Sequence, residues 1–328
     1  MSRYLVTRLL NMIPLIVLAT MISFGIMQAA PGGPQNVLLA TESNSGVDPQ
    51  QIEALKEKWG LNDPMYVQYY RWITNVATGD FGMSYYYKKP VIQVMGTALG
   101  NTLQLSLVAV VISYVIALPL GVISAVRQYS KLDMALTSVA FAGQAAPAFW
   151  IALLLIWGVA MHSGGAIPTN GIATAGLNID TNGLLTVIAD RAKYMLLPLI
   201  VTVFGSLTAL MRFMRASMLE VLKEDYIRTA RSKGLKENVV VYRHAMRNAL
   251  LPIIALSGGL LAGLVGGSVI IETIFSWPGM GRVAFEAVNN RDYNVSMAIM
   301  LMGTVLTLIG LFLVDIAYVI VDPRIKYD

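Results

Sequence analysis

The sequence predicts an all-α, polytopic membrane protein with six transmembrane helices, and three observations carry that prediction. The 328 residues are 56% hydrophobic and only 13% charged, with a mean hydropathy of +0.62. The apolar residues gather into six runs, at 9–29, 99–125, 134–161, 194–214, 248–271 and 296–320. Even the shortest has about 21 residues, roughly 31 Å of helix at 1.5 Å per residue, enough for a hydrocarbon core of about 30 Å. The Lys and Arg residues also divide unevenly between alternate connections. Fifteen lie on the side of the two termini and nine on the other, where the loops are longer and hold eleven acids. By the positive-inside rule both termini face the cytoplasm. The positive net charge of +5 is therefore a topology signal and gives no reason to invoke nucleic acid.

Residues 1–30 form the first unit. Arg3 and Arg8 precede an apolar stretch that ends at Ala29 and Ala30, as in a signal peptide. Its apolar core exceeds the roughly 7 to 15 residues of such a segment and five more spans follow, so it reads as a retained helix. Residues 31–97 form an external region. Asp48, Pro49 and Gly60 carry the chemistry of a cap, a first-turn proline and a stop, with Ile52, Leu55 and Trp59 on one face. A second helix is expected from Pro64 to Ala77, before a turn at Gly79-Asp80-Phe81-Gly82. This region reads as a lid on the outer helix ends or as a contact for an external delivery protein.

Residues 98–320 hold the remaining five spans, and 321–328 a cytoplasmic tail. Pro119, Pro147 and Pro198 lie inside the second, third and fourth spans, where each removes a backbone donor and favours a kink. Asn101 and Gln144 are uncharged polar residues in spans, suited to a polar lumen or to bonds between helices. The fifth span carries Gly259, Gly263 and Gly267 among other small residues. That spacing lets helix backbones approach closely, in lipid that gives no hydrophobic drive for association. Asp315, in the last span, is expected to snorkel to the interface or to pair with a basic residue such as Arg212.

Between the fourth and fifth spans lies a polar island, KEDYIRTARSKGLKENVVVYRHAMRNALLP over 223–252. From Arg212 to Arg247 there are nine Lys or Arg residues and four acids. Glu220, Glu224 and Asp225 precede Arg228, Arg231 and Lys233, and Gly234 follows, an order that suits a helix dipole and a glycine stop. A short helix lying along the membrane surface is predicted. Val221, Tyr226, Ile227 and Ala230 would give it a modest apolar face, for a groove on a soluble protein or for lipid headgroups.

Catalytic patterns are missing from the sequence. It has no G-x-x-x-x-G-K-[ST], no H-E-x-x-H, no G-x-S-x-G and no cysteine. Its two histidines, His162 and His244, are expected on opposite sides of the membrane and cannot share a metal. A chain with a large charged island and no phosphate loop points to a partner that handles ATP. A secondary transporter would need several intramembrane titratable groups, and a membrane enzyme a paired nucleophile and base.

The wording of the island resembles the coupling segment of ABC importer permeases. Asp225-Tyr226-Ile227-Arg228-Thr229-Ala230-Arg231-Ser232-Lys233-Gly234-Leu235, with His244, Arg247-Asn248 and Leu251-Pro252, is similar to the dipeptide, oligopeptide and nickel branch. Arg228 stands where the general pattern has Glu. Ala30-Pro31-Gly32-Gly33-Pro34, Leu99-Gly100-Asn101-Thr102, Pro147-Ala148-Phe149-Trp150, Arg215-Ala216-Ser217-Met218, the stretch from Glu272 to Gly281 and Asp322-Pro323-Arg324-Ile325 resemble the same branch.

The resemblance implies a type I importer permease in a bacterial inner membrane. It would pair with a homologous permease, bind two ABC ATPase subunits that hold ATP and Mg, and receive substrate from an external solute-binding protein. The chain itself would hold no cofactor. The ATPase-coupling segment would span 215–247, with Glu224, Asp225, Arg228, Thr229, Ala230 and Gly234 as its contact residues. Peptides are the favoured cargo over nickel, since the separated histidines give no metal relay.

Overall fold

The computed structural model describes residues 2–29, 62–177, 179–256, 263–264 and 266–321. The helix expected near 49–59, Gly259 and the tail from 322 lie outside the described residues. Among the described residues the secondary structure is helical, with one isolated bridge between Met83 and Pro90. The chain divides into two compact units, residues 1–100 with 283–308, and residues 101–282 with 309–328.

The first unit holds α1 (Ser2–Ala29) and α2 (Met65–Ala77). α2 lies where the sequence predicts its second external helix. It packs on α1 through Phe24, whose ring meets Tyr69 edge-on at 5.6 Å and Trp72 at 5.9 Å. The Tyr69 and Thr20 hydroxyls are 2.9 Å apart. Beyond α2 the backbone turns at Gly79 and Gly82, both at positive φ. The following loop is fixed by Asp292, a buried carboxylate that accepts from the Ser84 hydroxyl and from the Tyr86 N–H.

Two long helices dominate the second unit, although the first of them begins in the other. They are α3 (Val91–Val126) and α6 (Leu184–Val221); Pro119 and Pro198 sit inside them without ending them. Between them in sequence come α4 (Lys131–Ala145) and α5 (Ala148–Leu155), the latter continuing as a π-helical turn over Ile156–Ala160. The pair is bent by 102° at the break before α5. The third predicted span is thus not one continuous helix, because Pro147 donates no N–H and drives Ala146 into extended backbone.

Four described helices are long and apolar enough to cross a membrane, namely Thr7–Ala29, Val91–Val126, Leu184–Val221 and Tyr293–Leu313, or five with the bent pair. They coincide with predicted spans one, two, four and six, and with span three when the pair is counted. The fifth predicted span falls partly outside the described residues. Its described part includes α8 (Leu251–Leu256), helical backbone at 263, 264 and 266, a break at Gly267 and Ser268, and the start of α9 (Val269–Ile274). Gly267 has φ +64°, which a helix cannot continue through, so a single uninterrupted helix over 248–271 is not what forms.

Helix contacts fix the direction of each element. Near its start α3 carries Asn101, whose Oδ1 accepts from Arg191 near the start of α6 at 2.9 Å. Near their ends Val122 and Ala125 share a core with Met214 and Met218. α3 and α6 are therefore parallel. α4 opposes α6, with Asp133 beside Arg215, Ala140 beside Met211 and Gly143 beside Phe204 and Thr208. A Cβ on Gly143 would come within 2.8 Å of Thr208, and one on Gly121 within 2.7 Å of Met214. These two glycines are the close-approach positions of α3 and α4 against α6. Around Gly263 a Cβ would meet nothing within 4 Å.

Candidate functional site

The island folds as a surface helix, α7 (Asp225–Ser232), entered through Glu224 in extended backbone. Ile227 and Arg228 donate N–H groups to the Glu224 carbonyl at 3.0 and 3.3 Å, opening the first turn. Gly234, at φ +73°, closes it by donating to the Arg231 carbonyl at 2.9 Å. This is a left-handed helix stop that glycine adopts most readily. Past it, Arg231 makes a two-pronged contact with Glu237, at 2.7 and 3.2 Å, tying the end of α7 to the next helical turn. That bond holds the Glu237 carboxyl below its ordinary value and raises Arg231.

The aliphatic part of the apolar face of α7 is turned into the chain. Ile227 is fully buried and Ala230 nearly so, both in one core with Val122 and Ala125 of α3, Met214 and Met218 of α6, and Val240, Val241 and Ala245. Of the four residues expected to meet a groove or lipid headgroups, Val221, Tyr226, Ile227 and Ala230, this packing turns Ile227 and Ala230 inward and sets Val221 against the same core, while Tyr226 stays exposed. Ile227 and Ala230 are the two aliphatic residues of a strongly polar helix, and the chain's own core has room for them. What faces outward is polar: Glu224, Asp225, Arg228, Thr229 and Gly234 are all exposed. Arg228 and Asp225 are 3.2 Å apart, but at 71% and 94% exposure the pair contributes little to stability. Both are available to other groups. Tyr226 turns sideways, and its hydroxyl accepts from Asn248 at 2.6 Å.

The polar span residues fall in different places. Asn101 is buried and occupied on every side: its Nδ2 donates to the Pro278 carbonyl, its Oδ1 accepts from Arg191 and its carbonyl accepts from the Trp277 indole. It joins three segments, as a bond between helices. Gln144 is exposed near the end of α4, where its Oε1 accepts from Arg212. The Arg212 guanidinium also lies 4.7 Å above the Phe141 ring. Arg212 is thus engaged with α4, and the expected pairing with Asp315 does not form.

Two buried acids, neither singled out from the sequence, organise the surroundings. Asp133 accepts from both Nε and Nη2 of Arg215, and from Ser124, at the junction of α3, α4 and α6. Its sequence signal was the Ser130-x-x-Asp133 pattern that caps α4. Glu272 is 1% exposed, and its carboxylate receives the Thr102 hydroxyl at 2.9 Å and the Arg282 N–H at 2.9 Å. Ser268 and Gly281 add backbone donors. Burial pushes this carboxyl up from its ordinary value, and the four donors oppose that. Gly267, Gly279 and Gly281 wrap it so closely that a Cβ on any of them would fall 2.3 to 3.0 Å from its atoms.

Four described helices of membrane-crossing length, five with the bent pair, define a multi-pass membrane protein. The chain matches the family described as binding-protein-dependent transport system inner membrane component over residues 117–327, and the N-terminal model of the same system over 1–106. It belongs to that family of ABC transporter permeases. Over 328 residues it is 43% identical to the oligopeptide transport system permease protein AppB of Bacillus subtilis (strain 168), covering all of both chains. It is 34% identical over 342 residues to the dipeptide transport system permease protein DppB of Escherichia coli (strain K12), covering all of this chain and 99% of that one. A glutathione transport system permease protein, GsiC of Escherichia coli O1:K1 / APEC, is 33% identical over the full length of both.

The fold is that of solved importers. The crystal structure of an amino acid ABC transporter with histidines aligns at a TM-score of 0.51 and 16% identity, over 69% of this chain and 92% of that one. An inward-facing form of the MetNI methionine ABC transporter aligns at 0.50 and 18%, over 72% and 98%.

Proposed function

We propose that the chain is one permease of an ATP-driven importer of di- or oligopeptides. A homologous permease completes the translocation path. Two ABC ATPase subunits dock at α7 and hold the ATP and Mg, and an external solute-binding protein delivers the peptide. The permease does no chemistry, and its two termini and α7 face the cytoplasm. The observation that carries this reading is full-length similarity to oligopeptide and dipeptide permeases, joined to a helix whose buried face is anchored and whose outer face is polar.

The mechanism follows from that anchoring. ATP binding closes the ATPase pair, and α7 is displaced with it. Because Ile227 and Ala230 share a core with α3 and α6, the displacement moves those helices and shifts the path between inward-open and outward-open states. Peptide leaves the binding protein into the outward-open state and is released when hydrolysis restores the other.

Reconstitution tests this. The complete complex in proteoliposomes is expected to accumulate a labelled tripeptide only with ATP on the α7 side and with loaded binding protein on the other. Uptake of nickel in place of peptide, or uptake driven by a proton gradient without ATP, overturns the reading.

A further inference from the structure

Arg212 is a cation inside the fourth predicted span, residues 194–214, and its side chain runs the wrong way for an interfacial residue. The pairing of Asp133 with Arg215, Ala140 with Met211 and Gly143 with Phe204 and Thr208 sets the register of α4 against α6. Gln144, next to Gly143, therefore lies level with Phe204 to Thr208, near the middle of that span. At 1.5 Å per residue this is roughly 16 Å farther along α4 than Asp133. An arginine near a helix end ordinarily extends its guanidinium toward the headgroups. Arg212 instead reaches inward, toward the span centre, and donates to Gln144.

No carboxylate among the described residues pairs with it. The nearest acid on the facing helix, Asp133, is held by both prongs of Arg215. The two side chains border an open cavity of about 390 Å³ between α4 and α6, with the Thr137 side chain and the Phe141 ring on its wall. α4 breaks two residues beyond Gln144, before Pro147. Broken helices at membrane depth are tolerated where they are buried in protein or line water, and a carbonyl-rich helix end with an adjacent cation suits an aqueous cavity. A cation drawn to mid-membrane without an acid partner marks such a lumen and leaves guanidinium donors for an oxyanion.

We infer that Arg212 and Gln144 form a polar station on the translocation path that takes the free carboxylate of a peptide in transit. The inference rests on the peptide-importer reading above. Dipeptides, oligopeptides and glutathione, named for the relatives, share a free carboxylate and amide groups. Arg212 matches the first in charge, and the Gln144 amide matches the second in hydrogen-bonding capacity.

The chain has no cysteine, so in a complex whose other subunits are made cysteine-free a single introduced thiol reports its own surroundings. In the complete complex in proteoliposomes, Gln144→Cys is expected to react with a charged, membrane-impermeant methanethiosulfonate. The reaction should slow at least fivefold during ATP-driven uptake of a tripeptide. Arg212→Gln is expected to lower uptake of the free-acid tripeptide about tenfold and that of its C-terminal amide little, while Arg212→Lys keeps most of the free-acid uptake. Labelling only by a lipid-soluble maleimide would place Gln144 against lipid and overturn the inference. So would labelling by neither reagent in any state, which would mean the second permease seals the cavity. An Arg212→Gln loss that tracks the phosphatidylglycerol content of the vesicles would assign the cation to a headgroup phosphate, and an equal loss for acid and amide would remove the carboxylate role. If the unmodified complex takes up no peptide, the failure belongs to the importer reading instead.

Discussion

Asp133 and Arg215 meet as a two-pronged pair, Nε to Oδ1 and Nη2 to Oδ2 both at 2.8 Å, with the carboxylate side chain only 4% exposed. The pair closes the junction of three helices. Removing one member leaves a buried charge without its counterion, which costs about 3 to 5 kcal/mol where both groups are desolvated. Arg215 is 22% exposed, so the lower end applies. Arg215→Ala is expected to lower the thermal unfolding midpoint of the detergent-solubilised chain more than Arg215→Ala combined with Asp133→Ala does. A double variant as unstable as the sum of the singles would contradict this.

The Glu272 cage predicts a pH dependence of known sign. Burial raises its folded pKa above the ordinary 4.5, so the folded state binds its proton more tightly than the unfolded state. Stability from this group is fully present below about 4.5 and is lost as pH rises through the folded value. Measured against Glu272→Gln, the midpoint of the natural protein should fall as pH is raised from 4.5 toward neutrality. A midpoint difference that stays flat or grows over that range would show the four donors dominating burial.

Ile227→Ala is expected to cost roughly 2 to 4 kcal/mol in the isolated permease, because a fully buried side chain is removed from a packed core. The assay must contain no ATPase. Loss of stability only when the ATPase is present would mean that Ile227 faces the partner.

On the outer face the expectation reverses. Charge reversal at Asp225 and Arg228 together should leave the unfolding midpoint within about 0.5 kcal/mol of the original, since both are highly exposed. It should also uncouple ATP hydrolysis from peptide uptake in the complete complex. Gly234→Val should do the same through the helix end, as φ +73° is strained for a β-branched residue. Normal coupled uptake by both variants would remove α7 from the coupling role.

The long apolar helices were legible because apolar length is a local property. α7 was legible too, through its charge order and its glycine. Pro119, Pro147 and Pro198 read alike in sequence, yet of these three only Pro147 coincides with a break. Pro119 and Pro198 lie in helices packed along their length, where tertiary contacts override a missing donor. The glycines of the fifth span drew attention by number, while the close contacts at Gly121 and Gly143 depend on which residue of α6 faces each of them. Glu272 looked like part of a family phrase. Its burial depends on Thr102, 170 residues away, a distance that periodicity does not report.

The burial of Ile227 and Ala230 bears on stiffness as well as on affinity. A helix hung from flexible loops would absorb a partner's movement as slack. α7 shares side-chain contacts with the two longest helices and is pinned at its far end by Arg231 and Glu237. If α7 is the docking helix proposed above, little of a stroke delivered to its outer face would be lost before it reached α3 and α6. Under the coupling role proposed for α7, the rigidity of the methionine-lined joint at Met214 and Met218 would set how much of each ATPase movement reaches the path, and softening that joint would waste nucleotide while leaving the partner bound.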